Sequence, residues 1–153
     1  MGSNAYNVVK YAACPVLTMP GKVKLQSFAK VLYPILPIAD AFASYDIVCK
    51  FLDAGSIMEV LGLSSLKVER KTKILDDLVD KVKSKLETEN VKVETSWANG
   101  GAVSDEILSY GQITLPDLII LTSMIDAIYG PDFTGPHTQK ILNGSRVSLL
   151  RIK

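Results

Sequence analysis

Gly135 to Ile152, GPHTQKILNGSRVSLLRI, is the stretch on which the fold turns, because it has an ungapped counterpart at the other end of the chain. Gly2 to Met19 reads GSNAYNVVKYAACPVLTM. A shift of 133 positions carries Gly2 onto Gly135, Val8 and Val9 onto Ile141 and Leu142, Val16 and Leu17 onto Leu149 and Leu150, and Met19 onto Ile152. Only Gly2/Gly135 and Leu17/Leu150 are identical, so what repeats is a pattern. A glycine opens a helix, an apolar pair follows one to two turns on, and a polar break leads into a short apolar run. That pattern spells turn, helix and buried strand. Two such units point to an internal duplication in which most of the first copy is missing.

Working back from Gly135, Asp117 to Ser123 (DLIILTS) and Ile57 to Leu63 (IMEVLGL) are nearly unbroken apolar runs of strand length, as is Val31 to Leu36 after Lys30. A strand covered on both faces needs such a run. Pro34 and Pro37 each remove a ladder donor, so this strand is expected to be short or frayed at its end. Ala41 to Asp53 sets Phe42, Tyr45, Val48, Cys49 and Leu52 on one helical stripe, closed by Gly55. Leu66 to Glu89 turns Leu75, Leu78, Val79, Val82 and Leu86 to the core and its charges to water, with Glu69/Lys73 and Asp77/Lys81 at the favourable four-residue spacing. Val91, Val93, Thr95 and Trp97 alternate with polar residues, the signature of a half-buried or edge strand. Asn99-Gly100-Gly101 then turns the chain into a helix over Ala102 to Tyr110, and Met124 to Thr134 reads as irregular. At the amino end Asn4 to Tyr11 is a short helix, Cys14 to Met19 a strand stopped by Pro20-Gly21, and Lys22 to Ser27 a linker.

From Lys30 onward strand and helix alternate four times and a fifth strand closes the chain. This predicts an α/β fold: a doubly wound parallel five-stranded sheet of order 3-2-1-4-5, counted from the Lys30 strand, with helices on both faces and right-handed crossovers. A ligand belongs past the carboxyl ends of strands one and four, at the switch point.

With 153 residues and 48% hydrophobic composition the chain can bury one core without metals or disulfides. A net charge of +1 with interspersed signs argues against an extended nucleic-acid or anionic-membrane surface. Cys14 and Cys49 lack CxxC or Cys/His spacing and read as reduced core thiols of a cytosolic protein. MGSNAYN is not a signal peptide, and the longest apolar runs fall well short of the ~20 residues of a membrane helix, so a soluble, cytoplasmic chain is expected.

No GxSxG, HExxH, Walker loop or GxGxxG is present. His137, the sole histidine, reads as a surface or capping residue, Asp126 and Asp132 as solvated loop carboxylates, and Trp97 as a cap on the core rather than a base-stacking platform. Asp40 and Asp46 lack the adjacent acidic pair of a metal-assisted phospho-acceptor, and no metal site is expected.

KVLYPI opening the sheet, PDLIILTS as strand four, and a Gly-led helix followed by RVSLLRI together resemble the universal stress protein family, specifically the second half of a tandem member. The resemblance makes residues 1–21 the last helix and strand of a preceding domain and 28–153 a complete one. ATP-binding members carry G-x2-G-x9-G-[ST] after strand four and an aspartate at the end of strand one. The glycines let backbone approach the phosphates, and the last one opens a helix whose N–H groups favour an anion. Here Thr122, Ile125 and Gly135 take the three glycine positions, Pro136 the hydroxyl position, and Leu36 stands roughly where the aspartate would be. Isoleucine crowds the phosphate path, and proline removes an N–H and the hydroxyl.

The resemblance therefore implies a non-enzymatic domain that serves a stress response through protein association, with ATP binding lost or weakened and no resident cofactor. The alternative is a module that binds ATP or AMP, or hydrolyses ATP slowly, in the same crevice, with Leu36, Thr122, Ser123, Ile125, Gly135, Pro136 and His137 as its candidate contacts. Resemblance to tandem members further implies that Pro15 to Met19 adds as an antiparallel sixth strand beside Val147 to Ile152. Val16, Leu17, Val147, Leu149 and Leu150 form that interface, within one chain or between two. The partners implied are a second copy or the missing first domain, with no nucleic acid and no membrane.

Overall fold

The apolar runs become the interior of one six-stranded sheet. The computed structural model describes residues 3–21, 27–37, 44–53, 55–64, 69–130 and 134–153. In chain order the elements are α1 (Ser3–Tyr11), β1 (Val16–Thr18), β2 (Lys30–Ile35), α2 (Tyr45–Cys49), β3 (Ile57–Ser64), α3 (Glu69–Thr88), β4 (Lys92–Asn99), α4 (Val103–Thr114), β5 (Leu118–Leu121), a 3-10 helix (Ser123–Tyr129), α5 (Pro136–Gly144) and β6 (Ser148–Arg151). The sheet order is β1-β6-β5-β2-β3-β4. Only β1 runs antiparallel to its neighbour, so read from β4 inward this is the expected 3-2-1-4-5 sheet with a sixth strand added at the far edge. Gly2, Asp40, Phe42 and Asp132, most of the linker from Lys22, and the side chain of Glu69 lie outside the described residues.

Helices on both faces make the central strands apolar throughout. α3 covers one face with Leu75, Val79, Val82 and Leu86, all buried. α4 and α5 cover the other, where Gly111 of α4 approaches Ile119 and Gly144 of α5 approaches Leu108. β4, an edge strand, alternates between exposed and half-buried positions. Its Trp97 lies over Gly62 of β3, so close that a Cβ there would stand 3.0 Å from the indole. Trp97 thus covers a bare stretch of backbone, and about half of it remains exposed.

The fraying expected of Pro34 is seen on one side of β2 only. The ladder between β2 and β3 runs the whole strand, from Lys30 opposite Ile57 to Ile35 opposite Gly62. On the other side β2 meets β5 only at Val31 and Leu32, and stops before the residue that has no N–H to give. β2 and β5 separate from there, and the gap becomes the crevice.

β1 pairs with β6 through Val16 opposite Arg151, Leu17 opposite Leu150 and Thr18 opposite Leu149. The 133-residue shift that relates the sequences also carries α1, Ser3–Tyr11, onto α5, Pro136–Gly144, end for end. Leu17 therefore faces its own counterpart, the mark of a local twofold axis. Val147 precedes β6 and is outside this ladder. Leu149 and Leu150 are buried, whereas Leu17, expected to be shielded, keeps part of its surface in water because β1 is the outermost strand.

Other expectations need correction. Cys14 is exposed rather than in the core, because it sits in the turn between α1 and β1; Cys49 is half-buried. On α3 the four-residue ion pair formed is Lys83–Glu87 at 4.0 Å, and no Asp77–Lys81 bridge is made among the described residues. α4 runs on to Thr114, and the stretch expected to be irregular contains an ordered 3-10 helix.

Charged residues also lie inside. Glu59, in the middle of β3, accepts a hydrogen bond from the Tyr110 hydroxyl. Lys30 Nζ stands 3.7 Å from its other oxygen. Burial, and then the carboxylate beside it, push the Tyr110 phenol above its ordinary range. Arg151 is buried in β6, its guanidinium donating to the carbonyl of Ile152.

Candidate functional site

The crevice lies where the sheet changes its direction of winding, past the carboxyl ends of β2 and β5. Leu36 leaves β2 on one side, and its N–H donates to Met124 Sδ at 3.5 Å across the gap. Thr122 leaves β5 on the other and starts the 3-10 helix. Leu36, Val103, Met124, Ile125 and Ile128 wall a cavity of about 190 Å³, with His137 of α5 as its polar corner.

The start of α5 decides what this cavity can hold. Gly135 is the N-cap and Pro136 takes the first turn with no N–H to offer. The next two N–H groups are both taken by one carboxylate: His137 N–H donates to Asp126 Oδ1 at 3.0 Å, and Thr138 N–H to Asp126 Oδ2 at 3.2 Å. Gln139 N–H already closes the first helical bond, onto the Gly135 carbonyl at 3.0 Å. Every amide of the first turn that could grip an anion is therefore spent on an internal one. The carboxylate also sits at the positive end of the helix dipole, where negative charge is stabilised. Asp126 is 0% exposed, which overturns its expected place as a solvated loop residue.

His137 is half-buried, with Nδ1 3.3 Å from the buried Ser104 Oγ of α4 and its ring 6.1 Å from that of Tyr129, tilted by 50°. Its amide, not its ring, does the capping. Leu36, Ile125 and His137, three of the candidates read from the sequence, share the cavity. Gly135 and Pro136 stand beside it at the helix start. Thr122 does not reach it: the residue is buried, and its hydroxyl finds no partner. Ser123 is half-buried in the first turn of the 3-10 helix. Asp126, Ser104, Val103, Met124 and Ile128 were not among the candidates, since nothing in their spacing joins them. Among the described residues no three His, Cys, Asp or Glu side chains come together as metal ligands, and no helix is long and apolar enough to cross a membrane.

A doubly wound sheet with this order and this crevice defines an open α/β fold whose ligand position is the switch point, and solved structures narrow it. No family model matches the sequence, and no curated protein matches it. A universal stress protein from Archaeoglobus fulgidus superposes with a TM-score of 0.67 at 17% identity, covering 100% of this chain and 54% of its own. A putative universal stress protein from Pseudomonas aeruginosa gives 0.67 at 12% identity, covering 100% and 57%. A universal stress protein in complex with cAMP gives 0.61 at 13% identity, covering 84% and 98%. The chain has the universal stress protein fold, and it spans little more than half the length of the first two. At these identities the likeness is one of fold, and function has to be argued from the site.

Proposed function

We propose that this chain is a universal stress protein-like domain that acts through association rather than catalysis, with ATP binding lost or much weakened. The observation that carries this reading is Asp126 on the amides of α5. A phosphate approaching that helix meets donors already occupied and a carboxylate of its own sign. Two unit charges ~4 Å apart repel by about 4 kcal/mol at a dielectric suited to a protein surface. The cavity agrees: about 190 Å³ with apolar walls, against roughly 300–1,000 Å³ for ordinary small-molecule sites.

The surface for association is at the other end of the sheet. Val8 and Tyr11 of α1, with Leu17 and Met19 at β1, are exposed together, and the outer edge of β1 is unpaired among the described residues. In this reading residues 1–21 are the tail of a preceding domain and 28–153 a whole one, and the partner is a second copy or that preceding domain. Neither nucleic acid nor membrane is a partner, and two free cysteines suit a cytoplasmic setting.

Calorimetric titration with Mg-ATP and with AMP tests the loss of nucleotide binding. We expect no low-micromolar affinity, and retention of either nucleotide through gel filtration sinks the reading. A nucleotide-binding or slowly hydrolysing module is the second reading, favoured by the structural neighbour solved with cAMP. It requires contacts such as Thr122, Ser123, Gly135 and His137 to serve despite Asp126, and the same titration decides between the two.

A further inference from the structure

We infer that the crevice is a binding site for a small uncharged apolar molecule with one hydrogen-bonding group, about the size of a single substituted ring. The inference rests on the reading that a nucleotide is not the ligand here. The same side chains that disqualify a phosphate select such a molecule.

Leu36, Val103, Met124, Ile125 and Ile128 present apolar walls around about 190 Å³. An engineered apolar cavity of ~150 Å³ in another protein takes up benzene, so a space of this size and lining has room for one ring. The space is reachable without opening the core, since Ile128, one of its walls, is 78% exposed. Charge is excluded from both directions. Asp126 has taken the helix end that would draw an anion, and its carboxylate, 0% exposed and off the cavity wall, gives a cation no ligand. Among the described residues the one polar side chain on the wall is His137. Its Nδ1 is turned to Ser104, which leaves Nε2 as the atom able to meet a hydroxyl or carbonyl. Tyr129, beside that ring and half-exposed, flanks the same corner.

Methyl-labelled protein titrated with phenol, and separately with phenyl phosphate, tests this by NMR. We expect saturable shifts at the methyl groups of Leu36, Val103, Ile125 and Ile128 with phenol, at an affinity of roughly millimolar for so few atoms. Phenyl phosphate should bind about tenfold more weakly or worse, and Ala127→Leu, which fills the cavity, should weaken phenol by about tenfold or more. No saturable shift, equal binding of phenyl phosphate, or phenol binding untouched by Ala127→Leu in a variant with native spectra overturns the inference. Val103→Phe, filling the cavity from α4, repeats the test should Ala127→Leu disturb the fold. ATP added to the same sample separates the two readings. Bound ATP defeats the proposed function, whereas silence to both ATP and phenol defeats this inference alone.

Discussion

At the carboxyl end of the chain β6 and both residues of the apolar pair on α5 are buried, while at the amino end β1 and one residue of the α1 pair keep an open side. Ile141 is 0% exposed and its counterpart Val8 57%; Leu150 is 1% exposed and its counterpart Leu17 36%. The inner members of the helical pairs, Leu142 and Val9, are equally buried. Helix lengths agree, and the local twofold axis sets Leu17 directly against Leu150. What differs is only what lies outside. The repeated pattern records a demand for burial on two sides, and within this chain only α5 and β6 have it met. In the association reading, the unmet half of that demand marks where a partner sits.

Removing residues 1–21 should break the comparison most severely. β6 then becomes a bare, apolar sheet edge. Because its register against β1 is that of a local dyad, β6 is complementary to another β6. We expect the truncated chain to self-associate, with Leu150 opposite Leu150, and, with Cys14 and Cys49 replaced by serine throughout, a Leu150→Cys variant of it to form an intermolecular disulfide on mild oxidation that the full-length Leu150→Cys protein, with Leu17 in place, does not form. A truncated chain that sediments as a monomer and stays reduced contradicts the dyad argument.

Next in size are paired truncations of side chains. Ile141→Ala and Leu150→Ala should each cost about 2–5 kcal/mol, since each leaves a cavity in packed surroundings. Val8→Ala and Leu17→Ala should each cost under about 1 kcal/mol. Urea unfolding measures all four. Equal losses across each pair would mean that the outer surface of α1 and β1 is covered in solution, by a second copy for instance, and a concentration-dependent midpoint would identify that cover.

How far the fold was legible follows from the same demand for burial. Strands covered on both faces have to be apolar throughout, so DLIILTS and IMEVLGL declared themselves, and their alternation with helices carried the sheet order. Leu36, Ile125, Gly135 and Pro136 were legible as departures from a nucleotide-binding pattern. Asp126 was not. A carboxylate in a loop has the same letter whether it is wet or bonded, and its two amides lie 11 and 12 residues further on. Glu59 offered a signal that went unused, because a carboxylate inside a doubly buried run needs a partner. Its partners Tyr110 and Lys30 come from other elements, and no local spacing points to them. Cys14 misled for the opposite reason: its neighbours are apolar, but the turn that carries it faces outward.

Asp126→Ala sharpens the comparison at the helix starts. Losing the carboxylate strands the His137 and Thr138 amides, and a buried charge-assisted cap of this kind should cost about 2–3 kcal/mol. Asn4→Ala, at an exposed position in the first turn of α1, should stay within about 0.5 kcal/mol. A smaller effect than that of Asp126→Ala tests the contact that ties the two ends together. The Tyr6 hydroxyl of α1 donates to the Thr134 carbonyl at 3.0 Å, immediately before α5. Tyr6→Phe keeps the ring and removes that one bond, so it should cost about 1 kcal/mol. If α1 is held in place chiefly by Val9 and the β1 ladder, the variant keeps full protection of the Val16–Thr18 amides from hydrogen exchange. If the Tyr6 bond is what seats α1, those amides exchange faster while the β2 and β3 amides do not, and the amino-terminal pair is then a separately opening unit rather than part of the sheet's common core.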